Sequence, residues 1–340
     1  MSDEIRLIVD GKTFKNWSGV TITQALDQAA DAFSVEAPFD PERAELRQAF
    51  RPFGYQPAQV YLDNDLVLTG IIDKVEPKLS AGDRTLTVSG RSLAGKIIDC
   101  SIDGPLEYNF KFLADLAINL CAPFGITVRW PNNRPIEGAR ATYGQTVYEL
   151  LNSLAAPANL MLYSDEKGQL IISWAKWLKN VASSAALVEG ESPLLSVAAS
   201  FDSSQRFSKY KAATQYGGES NIEGVANDSG VPISRPHLVI VGDADTDPGQ
   251  TASRQRTRAI ASALAISASV TGWRNSNGQI WVKGQAVTLK APSVMLYKEA
   301  KYSIVGATMR IDTSQGKVTD LRLMLPEILG GETPQVIPWE

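Results

Sequence analysis

Short alternating strands in the first hundred residues constrain the fold of this sequence more than any other feature. Residues 5–9 and 12–14 flank the dipeptide Asp10-Gly11. Asp-Gly between two alternating runs is the strongest local signal of a β-hairpin, because both central residues of the turn need a positive φ. Further runs of this kind lie at residues 59–62, 66–68, 70–77 and 84–90. Several short strands with a turn signal about every ten residues predict a small barrel or sandwich.

Helical spacing replaces this pattern after residue 99. Apolar residues recur every three or four positions at residues 112–120 and 147–154, and a proline follows each run. This spacing predicts two amphipathic helices. Residues 160–163 and 169–172 then form a hairpin, so the middle of the chain is predicted to be a small α+β unit.

The last third of the chain mixes loop, helix and strand. The stretch 217–249 is rich in Gly, Ser, Asn, Asp and Pro, which predicts mostly loop. Residues 254–269 are predicted to form one long helix. Strand patterns return from residue 279 to residue 325, and the tail after Gly330-Gly331 is expected to be mobile.

A weak internal repeat relates the two strand-rich parts. Residues 60–88 and 287–323 share the order strand, turn, strand, glycine, strand, glycine-containing turn, strand. The order agrees, but few identities do. Two related β-domains explain this pattern, and two unrelated meanders would look nearly the same.

Composition excludes several classes of protein. The 340 residues are 44% hydrophobic and 21% charged, which is ordinary for a globular protein that buries a core without disulfides. The formal net charge of −4 argues against tight unspecific binding to DNA, although a weakly acidic wall would suit a duct through which DNA only passes. The sequence lacks a signal peptide and a long apolar run, so we expect cytoplasmic synthesis and no stable membrane insertion.

One glycine-rich motif suggests nucleotide binding. Residues 90–96 fit the first seven positions of a P-loop, but Ile97 stands where Ser or Thr must hold Mg²⁺. The preceding residues also alternate like a meander strand rather than a buried parallel strand. A strand end that needs glycine is therefore the favoured interpretation.

Two further candidates for chemistry have simpler explanations. Asp243, Asp245 and Asp247 have the spacing of a calcium loop, but the required Gly and Glu are absent, and an acidic loop that caps the next helix is favoured. His237 is the only histidine and lies outside any nucleophile elbow. A catalytic role for it is disfavoured.

The remaining candidates are basic, aromatic and thiol side chains. A solvated face or an intersubunit salt bridge is favoured over a phosphate contact for Arg254, Arg256 and Arg258. Core packing is favoured over a partner interface for Trp273, Trp281 and Tyr297. Two buried thiols, without the spacing of a metal site, are expected at Cys100 and Cys121. No catalytic residue, metal ligand or cofactor site is singled out, which favours a scaffold over an enzyme.

The order of several short motifs resembles one protein family. They lie at residues 14–20, 32–35, 68–73, 88–92, 98–99, 272–274, 278–281, 283–285 and 321–326. This order resembles the baseplate hub proteins of Mu-like contractile-tailed bacteriophages, in the same superfamily as the T-even phage hub and the first part of type VI secretion spikes. The motif positions expected to have a structural role are Trp17, Gly70, Gly90, Arg91, Gly272, Trp273 and Trp281.

The resemblance implies an α+β, mainly β fold with two similar small β-barrel domains, an α+β middle domain and a helix-containing insertion. By analogy, the first barrel is residues 1–98 and the middle domain is residues 99–190. The second barrel combines residues 191–225 and 280–327. The loop-and-helix insertion is residues 226–279, and the mobile tail is residues 328–340.

The resemblance also implies a function without catalysis or cofactor. Three copies would form a ring in the virion baseplate that adapts the six-fold tail tube to a three-fold spike and lets the genome pass. The implied partners are further copies of the chain, a tail tube or tube-cap protein, a spike protein and the tape measure protein, with DNA only in transit. The alternatives are a cell-wall hydrolase of the tail and a glycan-binding receptor module.

Overall fold

The structure, a computed structural model, describes residues 3–131, 133–214, 223–241, 247–312, 314–329 and 337–339. The chain divides into two compact units. Unit 1 consists of Met1–Ala175, Ser269–Gln285 and Ile304–Leu321, and unit 2 consists of Lys176–Ala268, Ala286–Ser303 and Arg322–Glu340. The five-part division predicted from the sequence is finer and stays a prediction.

The secondary structure is mainly β, as predicted. The strands are β1 (Ile5–Val9), β2 (Lys12–Phe14), β3 (Gly19–Ala25), β4 (Ala32–Pro38), β5 (Pro57–Leu62), β6 (Asp65–Ser80), β7 (Asp83–Ser92), β8 (Glu107–Tyr108), β9 (Val128–Arg129), β10 (Ala139–Arg140), β11 (Leu160–Ser164), β12 (Leu170–Trp174), β13 (Ser183–Val188), β14 (Leu194–Phe201), β15 (Lys209–Thr214), β16 (Glu223–Asn227), β17 (Pro236–Val241), β18 (Leu264–Thr271), β19 (Ala286–Ala291), β20 (Leu296–Asp312) and β21 (Gly316–Met324). The helices are α1 (Ala44–Ala49), α2 (Gly95–Asp99), α3 (Leu113–Cys121), α4 (Val147–Ala155), α5 (Pro248–Ser262) and α6 (Pro326–Leu329). Strands β18, β20 and β21 contribute residues to both units.

The first hairpin forms as the sequence predicts. β1 pairs with β2, and Val9 lies opposite Lys12. The two turn residues, Asp10 and Gly11, have φ values of 50° and 73°, which is the left-handed geometry that this turn requires. Every second residue of β1 is buried, so the alternation in the sequence sets which side faces the core.

Strands β3 to β7 form what we call the first strand set. They lie in the order β3-β4-β7-β6-β5, and each neighbouring pair is antiparallel. Their inward side chains share one core that includes Ile22, Phe33, Val60 and Val88. The strands predicted at residues 59–62 and 84–90 are therefore confirmed, whereas the two predicted at residues 66–68 and 70–77 are one continuous strand, β6.

Strands β14 and β18 to β21 form the second strand set. They lie in the order β14-β18-β21-β20-β19. Taken in chain order, the five strands of each set occupy the same successive places in the sheet. The repeat predicted at residues 60–88 and 287–323 is thus present as three strands in each part rather than four, β5 to β7 and β19 to β21, and it extends to five strands.

The strand ladders of the described residues do not close into barrels. The path runs from β14, whose neighbour is β18, to β2, whose neighbour is β1. β13 and β19 form a branch on β20, and β13 pairs with β19 in parallel. The organisation into two barrels therefore stays a prediction.

The middle part is an α+β unit, as predicted. α3 and α4 cover residues that the helical spacing indicated, and β11 pairs with β12 in the predicted hairpin. The apolar stripes of both helices enter one core with the inward residues of this hairpin. The helices form because their apolar residues recur at the spacing of one face.

A capping box fixes the start of α4. The hydroxyl of Thr146 accepts a hydrogen bond from the backbone N–H of Glu149 at 3.1 Å. The carboxylate of Glu149 in turn accepts from the backbone N–H of Thr146 at 2.8 Å. Both orphan donors of the first turn are thereby satisfied.

We expect Thr146→Ala to lower the free energy of unfolding by about 1 kcal/mol, because one N–H of α4 loses its acceptor. Urea denaturation followed by circular dichroism measures this change. Thr146→Ser keeps the hydroxyl and serves as the control. Equal losses in the two variants would contradict a role for the cap.

A three-stranded sheet lies between β14 and β18 in the chain. Its order is β16-β15-β17, and its buried side chains meet Ala252 of α5 in a small core. β16 and β17 fall in the stretch predicted to be mostly loop, so that prediction is wrong for residues 223–227 and 236–241. Alternate residues of β16 are buried, and this period of two was hidden among the polar residues that favour loops. The predicted domain boundary at residue 225 falls inside β16, and residues 215–222 and 242–246 lie outside the described part.

The long helix predicted for residues 254–269 is shorter and begins earlier. α5 spans Pro248–Ser262, and β18 follows it directly. Leu264, Ile266, Ala268 and Val270 are buried and alternate with less buried residues. That period of two belongs to a strand, so the helix cannot extend through it.

The predicted mobile tail contains ordered contacts at both described parts. α6 ends at Leu329. The carbonyl of Pro338 accepts hydrogen bonds from the backbone N–H groups of Tyr297 and Lys298 at 2.8 and 3.1 Å. Trp339 stacks edge-on against Phe201, with ring centroids 5.5 Å apart. The residues between these parts lie outside the described ranges, and mobility of the tail stays a prediction.

Candidate functional site: strand junctions and open edges

Two predicted motif residues, Gly70 and Gly90, lie where the backbones of β6 and β7 approach each other closely. A Cβ atom on Gly70 would lie 1.9 Å from the carbonyl oxygen of Arg91. A Cβ atom on Gly90 would lie 2.0 Å from the carbonyl oxygen of Ile71 and 2.7 Å from the ring of Phe33. Only glycine fits such a backbone approach. The P-loop-like residues 90–96 are therefore a strand end that requires glycine, as the sequence favoured.

Arg91 ties this strand end to α2. Its Nε donates to Asp73 Oδ2 at 2.7 Å, and its Nη1 and Nη2 donate to the carboxylate of Asp99 at 3.0 and 2.5 Å. These hydrogen bonds raise the pKa of Arg91 and lower the pKa of Asp99. Lys96, the lysine of the apparent P-loop, donates instead to the carbonyl of Phe124 at 3.2 Å. Arg91 thus acts as a planar fork between two carboxylates.

The other motif residues lie in a second cluster of unit 1. Trp273 is buried in the core of the first strand set, and Trp17 packs against that core partly buried. The indole of Trp273 donates to the carbonyl of Arg310 at 3.2 Å. Gly272 has a φ of 78°, and its carbonyl accepts from the hydroxyl of Thr319 at 2.7 Å. Trp281 is fully buried, and its backbone N–H donates to the backbone carbonyl of Trp273 at 3.0 Å.

The structure shows which of the three aromatic residues Trp273, Trp281 and Tyr297 pack in the core and which is exposed. Trp273 and Trp281 are core residues, as favoured. Tyr297 is half exposed, so the expectation of core packing is wrong for it. Of the two cysteines, Cys121 is buried, and its burial raises the pKa of the thiol to about 12. Cys100 is exposed, so the expectation of two buried thiols is wrong for it, because this residue follows α2 on the surface.

A buried ion pair that the sequence did not reveal joins distant segments of unit 1. Lys283 Nζ lies 2.5 Å from Asp31 Oδ1, and the two side chains are 7% and 1% exposed. Asp31 also accepts from the backbone N–H of Ala25 at 3.2 Å. Lys283 lies over the ring of Tyr163 at 5.5 Å. Burial raises the pKa of Asp31 to about 6, although Lys283 opposes this shift, and burial lowers the pKa of Lys283.

Two buried serines extend this polar network. Ser92 and Ser164 lie 2.8 Å apart through their hydroxyl oxygens. Ser164 donates to the carbonyl of Ala29 at 2.7 Å, and the backbone N–H of Asp31 donates to Ser92 at 3.1 Å. Strand β7, the turn before β4 and strand β11 are thereby held together by satisfied polar groups. No local pattern in the sequence indicates that Asp31 and Lys283, which are 252 positions apart, form a pair.

The candidates for chemistry have structural roles in the described residues. Asp247 caps α5 by accepting from the backbone N–H of Gly249 at 2.8 Å, as favoured, while residues 243 and 245 lie outside the described ranges. The His237 ring stacks on Phe207, with centroids 4.6 Å apart. Arg256 donates to the carbonyl of Asn227 at 3.2 Å. Within the described ranges, no three His, Cys, Asp or Glu side chains are placed to hold a metal ion.

One cavity of about 580 Å³ lies in unit 2. Its apolar side includes Phe201, Tyr297 and Trp339. Its polar side includes Arg206 and Asp228, which form a bidentate pair at 2.6 and 2.9 Å. The charges of Arg206 and Asp228 therefore neutralise each other at the cavity wall.

Among the described residues, two strand edges of the sets have no neighbouring strand. β14 has β18 as its one neighbour there, and none of its eight residues carries a charge. Leu195 and Phe201 on this strand are each 42% exposed. The second open edge belongs to β6, whose last ladder position with β5 is Ile71. An open edge presents unpaired N–H and C=O groups that can add another strand.

Two family models match the first half of the chain. Residues 4–92 match the family model described as Mu phage baseplate assembly protein GpP-like, N-terminal. Residues 94–174 match the family model described as baseplate hub protein gp44-like, second domain. The two ranges together span half of the 340 residues. In the described residues, no helix is both long and apolar enough to cross a membrane.

Relatives extend the likeness over nearly the whole chain. The baseplate hub protein gp44 of Escherichia phage Mu is 27% identical, over 95% of this chain and 88% of that protein. The 43 kDa tail protein of prophage MuSo2 from Shewanella oneidensis has a TM-score of 0.84 at 26% identity, over 96% of this chain and 99% of that chain. The tail protein from Neisseria meningitidis MC58 shares the fold, with a TM-score of 0.82 at 23% identity, over 97% and 99% of the two chains. The chain therefore belongs to the baseplate hub proteins of Mu-like contractile-tailed phages, which are structural components of the tail baseplate in the virion.

Proposed function

We propose that this hub protein acts as a homotrimeric ring that adapts a six-fold tail tube to a three-fold spike and lets the genome pass through its channel. The observation that carries the proposal is the repeated strand order of the first and second strand sets. Three copies of a chain with two equivalent sets present six similar units around one axis. Such a ring can meet a six-fold and a three-fold neighbour on its two sides.

The proposed ring explains the organisation of the chain. The two sets would form the two similar barrel domains. The first barrel lies within residues 1–98, and the second combines β14 with β18 to β21, so the predicted bounds of 191–225 with 280–327 must be extended to include β18 at Leu264–Thr271. Residues 99–190 and the insertion between β14 and β18 would lie outside the ring wall, with the tail at residues 328–340. The motif glycines, Arg91 and the tryptophans would hold the strand junctions, and no residue would carry out catalysis or bind a cofactor.

The proposed partners follow from the position of a hub in the tail. They are two further copies of the chain, a tail tube or tube-cap protein, a spike protein and the tape measure protein. DNA would be a transient occupant, and the net charge of −4 supports this role, because phosphates do not adhere to a weakly acidic wall.

Sedimentation equilibrium of the purified protein over a wide range of concentrations tests the trimer. One chain has a mass of 36.8 kDa, so a three-fold ring predicts three times this value, about 110 kDa. Electron microscopy of that species should show a ring with six similar lobes around a channel. A monomer at every concentration would contradict the proposal.

A further inference from the structure

Within the described residues, the open edge of β14 lacks the residues that usually protect an edge strand. Its sequence, Leu-Leu-Ser-Val-Ala-Ala-Ser-Phe, contains no charge, proline or glycine. Edge strands usually carry such residues, because an exposed apolar edge adds strands from other chains without selection. The edge of β14 therefore calls for a specific partner that covers it.

The equivalent strand of the first set shows what can cover such an edge. β3 is the first strand of its set and pairs with β4 on one edge. On its other edge it pairs antiparallel with β20, from Ala25 opposite Gly306 to Thr21 opposite Arg310. β20 can accept β3 there because its ladder with β19 ends at Ser303. A long strand of one set thus continues past its own neighbour and accepts the first strand of the other set.

β6 is the strand of the first set that corresponds to β20, and it has the same design. Its ladder with β5 ends at Ile71, while its ladder with β7 continues to Ser80. From residue 74 to residue 80, one edge of β6 thus has no strand beside it within the described part of the chain. Leu79 in this stretch is 75% exposed.

We infer that β14 of one copy pairs antiparallel with the free edge of β6 in the next copy, at residues 74–80. This ladder would repeat between copies what β20 and β3 form within unit 1. The inference rests on the proposed ring and names its intersubunit contact. Each copy offers one edge of each kind, so the contact is head-to-tail, and a three-fold rotation between copies closes it into the proposed ring. Lys74, Pro77 and Lys78 protect this edge of β6 from unselective strands, and the proline removes one donor from the ladder.

Disulfide trapping tests the ladder. In a Cys100→Ser background, Leu79→Cys is combined in turn with a cysteine at each of residues 194–198 of β14, the half of the strand that the register of β3 and β20 places opposite Leu79. An antiparallel ladder predicts intersubunit disulfides, seen as covalent dimers and trimers on a denaturing gel. Because successive side chains point to opposite faces, the yield should alternate along β14 with a period of two.

A control pair within one copy calibrates the chemistry. Thr23 and Thr308 lie opposite each other in the ladder of β3 and β20, with hydroxyl oxygens 3.3 Å apart. The double variant Thr23→Cys and Thr308→Cys should form a disulfide within one chain. No covalent dimer or trimer should therefore appear on the gel.

The mass of the uncrosslinked protein separates the two hypotheses. A species of about 110 kDa shows that the trimer forms. If this species gives no intersubunit disulfide at any of the five positions of β14, or the same yield at all five, the proposed ladder is wrong although the trimer stands. A monomer at every concentration would overturn both.

Discussion

Replacing Gly90 by alanine should lower the free energy of unfolding of this hub protein by about 3 kcal/mol or more, because overpacking at a backbone contact has no rotamer that relieves it. The new Cβ atom would lie 2.0 Å from the carbonyl oxygen of Ile71. β6 and β7 would have to separate, and their ladder is the longest of the first strand set. Urea denaturation followed by tryptophan fluorescence measures the loss.

Gly70→Ala should have an effect of similar size, since its Cβ atom would lie 1.9 Å from the carbonyl oxygen of Arg91. Gly82→Ala is the matched control. Gly82 lies in the turn between the same two strands with a φ of 92° and no atom within 4 Å of an added Cβ. Its cost should be that of a left-handed residue, about 1 kcal/mol. Equal costs for Gly90→Ala and Gly82→Ala would show that the close approach is not the cause.

Breaking the buried pair of Asp31 and Lys283 should have the second large effect. Lys283→Met leaves the carboxylate of Asp31 buried without its cation, and such a loss costs about 3–5 kcal/mol. Asp31→Asn combined with Lys283→Met removes both charges and keeps an acceptor for the backbone N–H of Ala25. The double variant should recover most of the loss, because neutral replacements of buried ion pairs are often well tolerated.

The loss in Lys283→Met should depend on pH with a defined sign. The pKa of Asp31 in the folded protein, about 6, lies above its ordinary value. The stabilisation linked to this proton is fully present below about pH 4 and is lost as the pH rises through the folded pKa. Without Lys283 the carboxylate loses the cation that lowers its pKa, while burial and the charge of Asp165 continue to raise it, so its pKa should rise further. Lys283→Met should therefore be more destabilised relative to the unchanged protein at pH 7.5 than at pH 5.

A surface pair provides the control for this series. Lys15 and Glu4 form an ion pair at 2.7 Å whose side chains are 43% and 36% exposed. Lys15→Met should change the free energy of unfolding by less than about 1 kcal/mol, since water already solvates both charges. A deficit of Lys283→Met that is as small as this, or that is larger at pH 5, would contradict the role of the buried pair.

These two predictions depend on contacts that differ in how far the sequence reveals them. Gly70 and Gly90 stand inside strand patterns, where glycine signals a close backbone approach. Their positions were therefore open to prediction, whereas the atoms they approach were not. Asp31 and Lys283 carry no local signal, because their meeting depends on how strands far apart in the chain are ordered.

The errors in the prediction of secondary structure have the same cause. The residues of β18 alternate, but they follow α5 directly, and the helical spacing of α5 was extended into them. β16 and β17 lie among loop-forming residues, and they become strands because they pair with β15 on its two edges. Pairing between strands is a tertiary contact, and it can override local composition.

The sequence by itself determined the local elements and the family: the hairpin at Asp10-Gly11, the two apolar helices of the middle part, and the repeated order of strands. These follow from turn chemistry and from the spacing of apolar residues, both of which act over a few neighbouring positions. Only the tertiary structure decided which strands are neighbours, which charges are buried together and which edges of β6 and β14 have no neighbouring strand in the described part of the chain. Those features depend on residues that are distant in the chain, and no local pattern encodes their meeting.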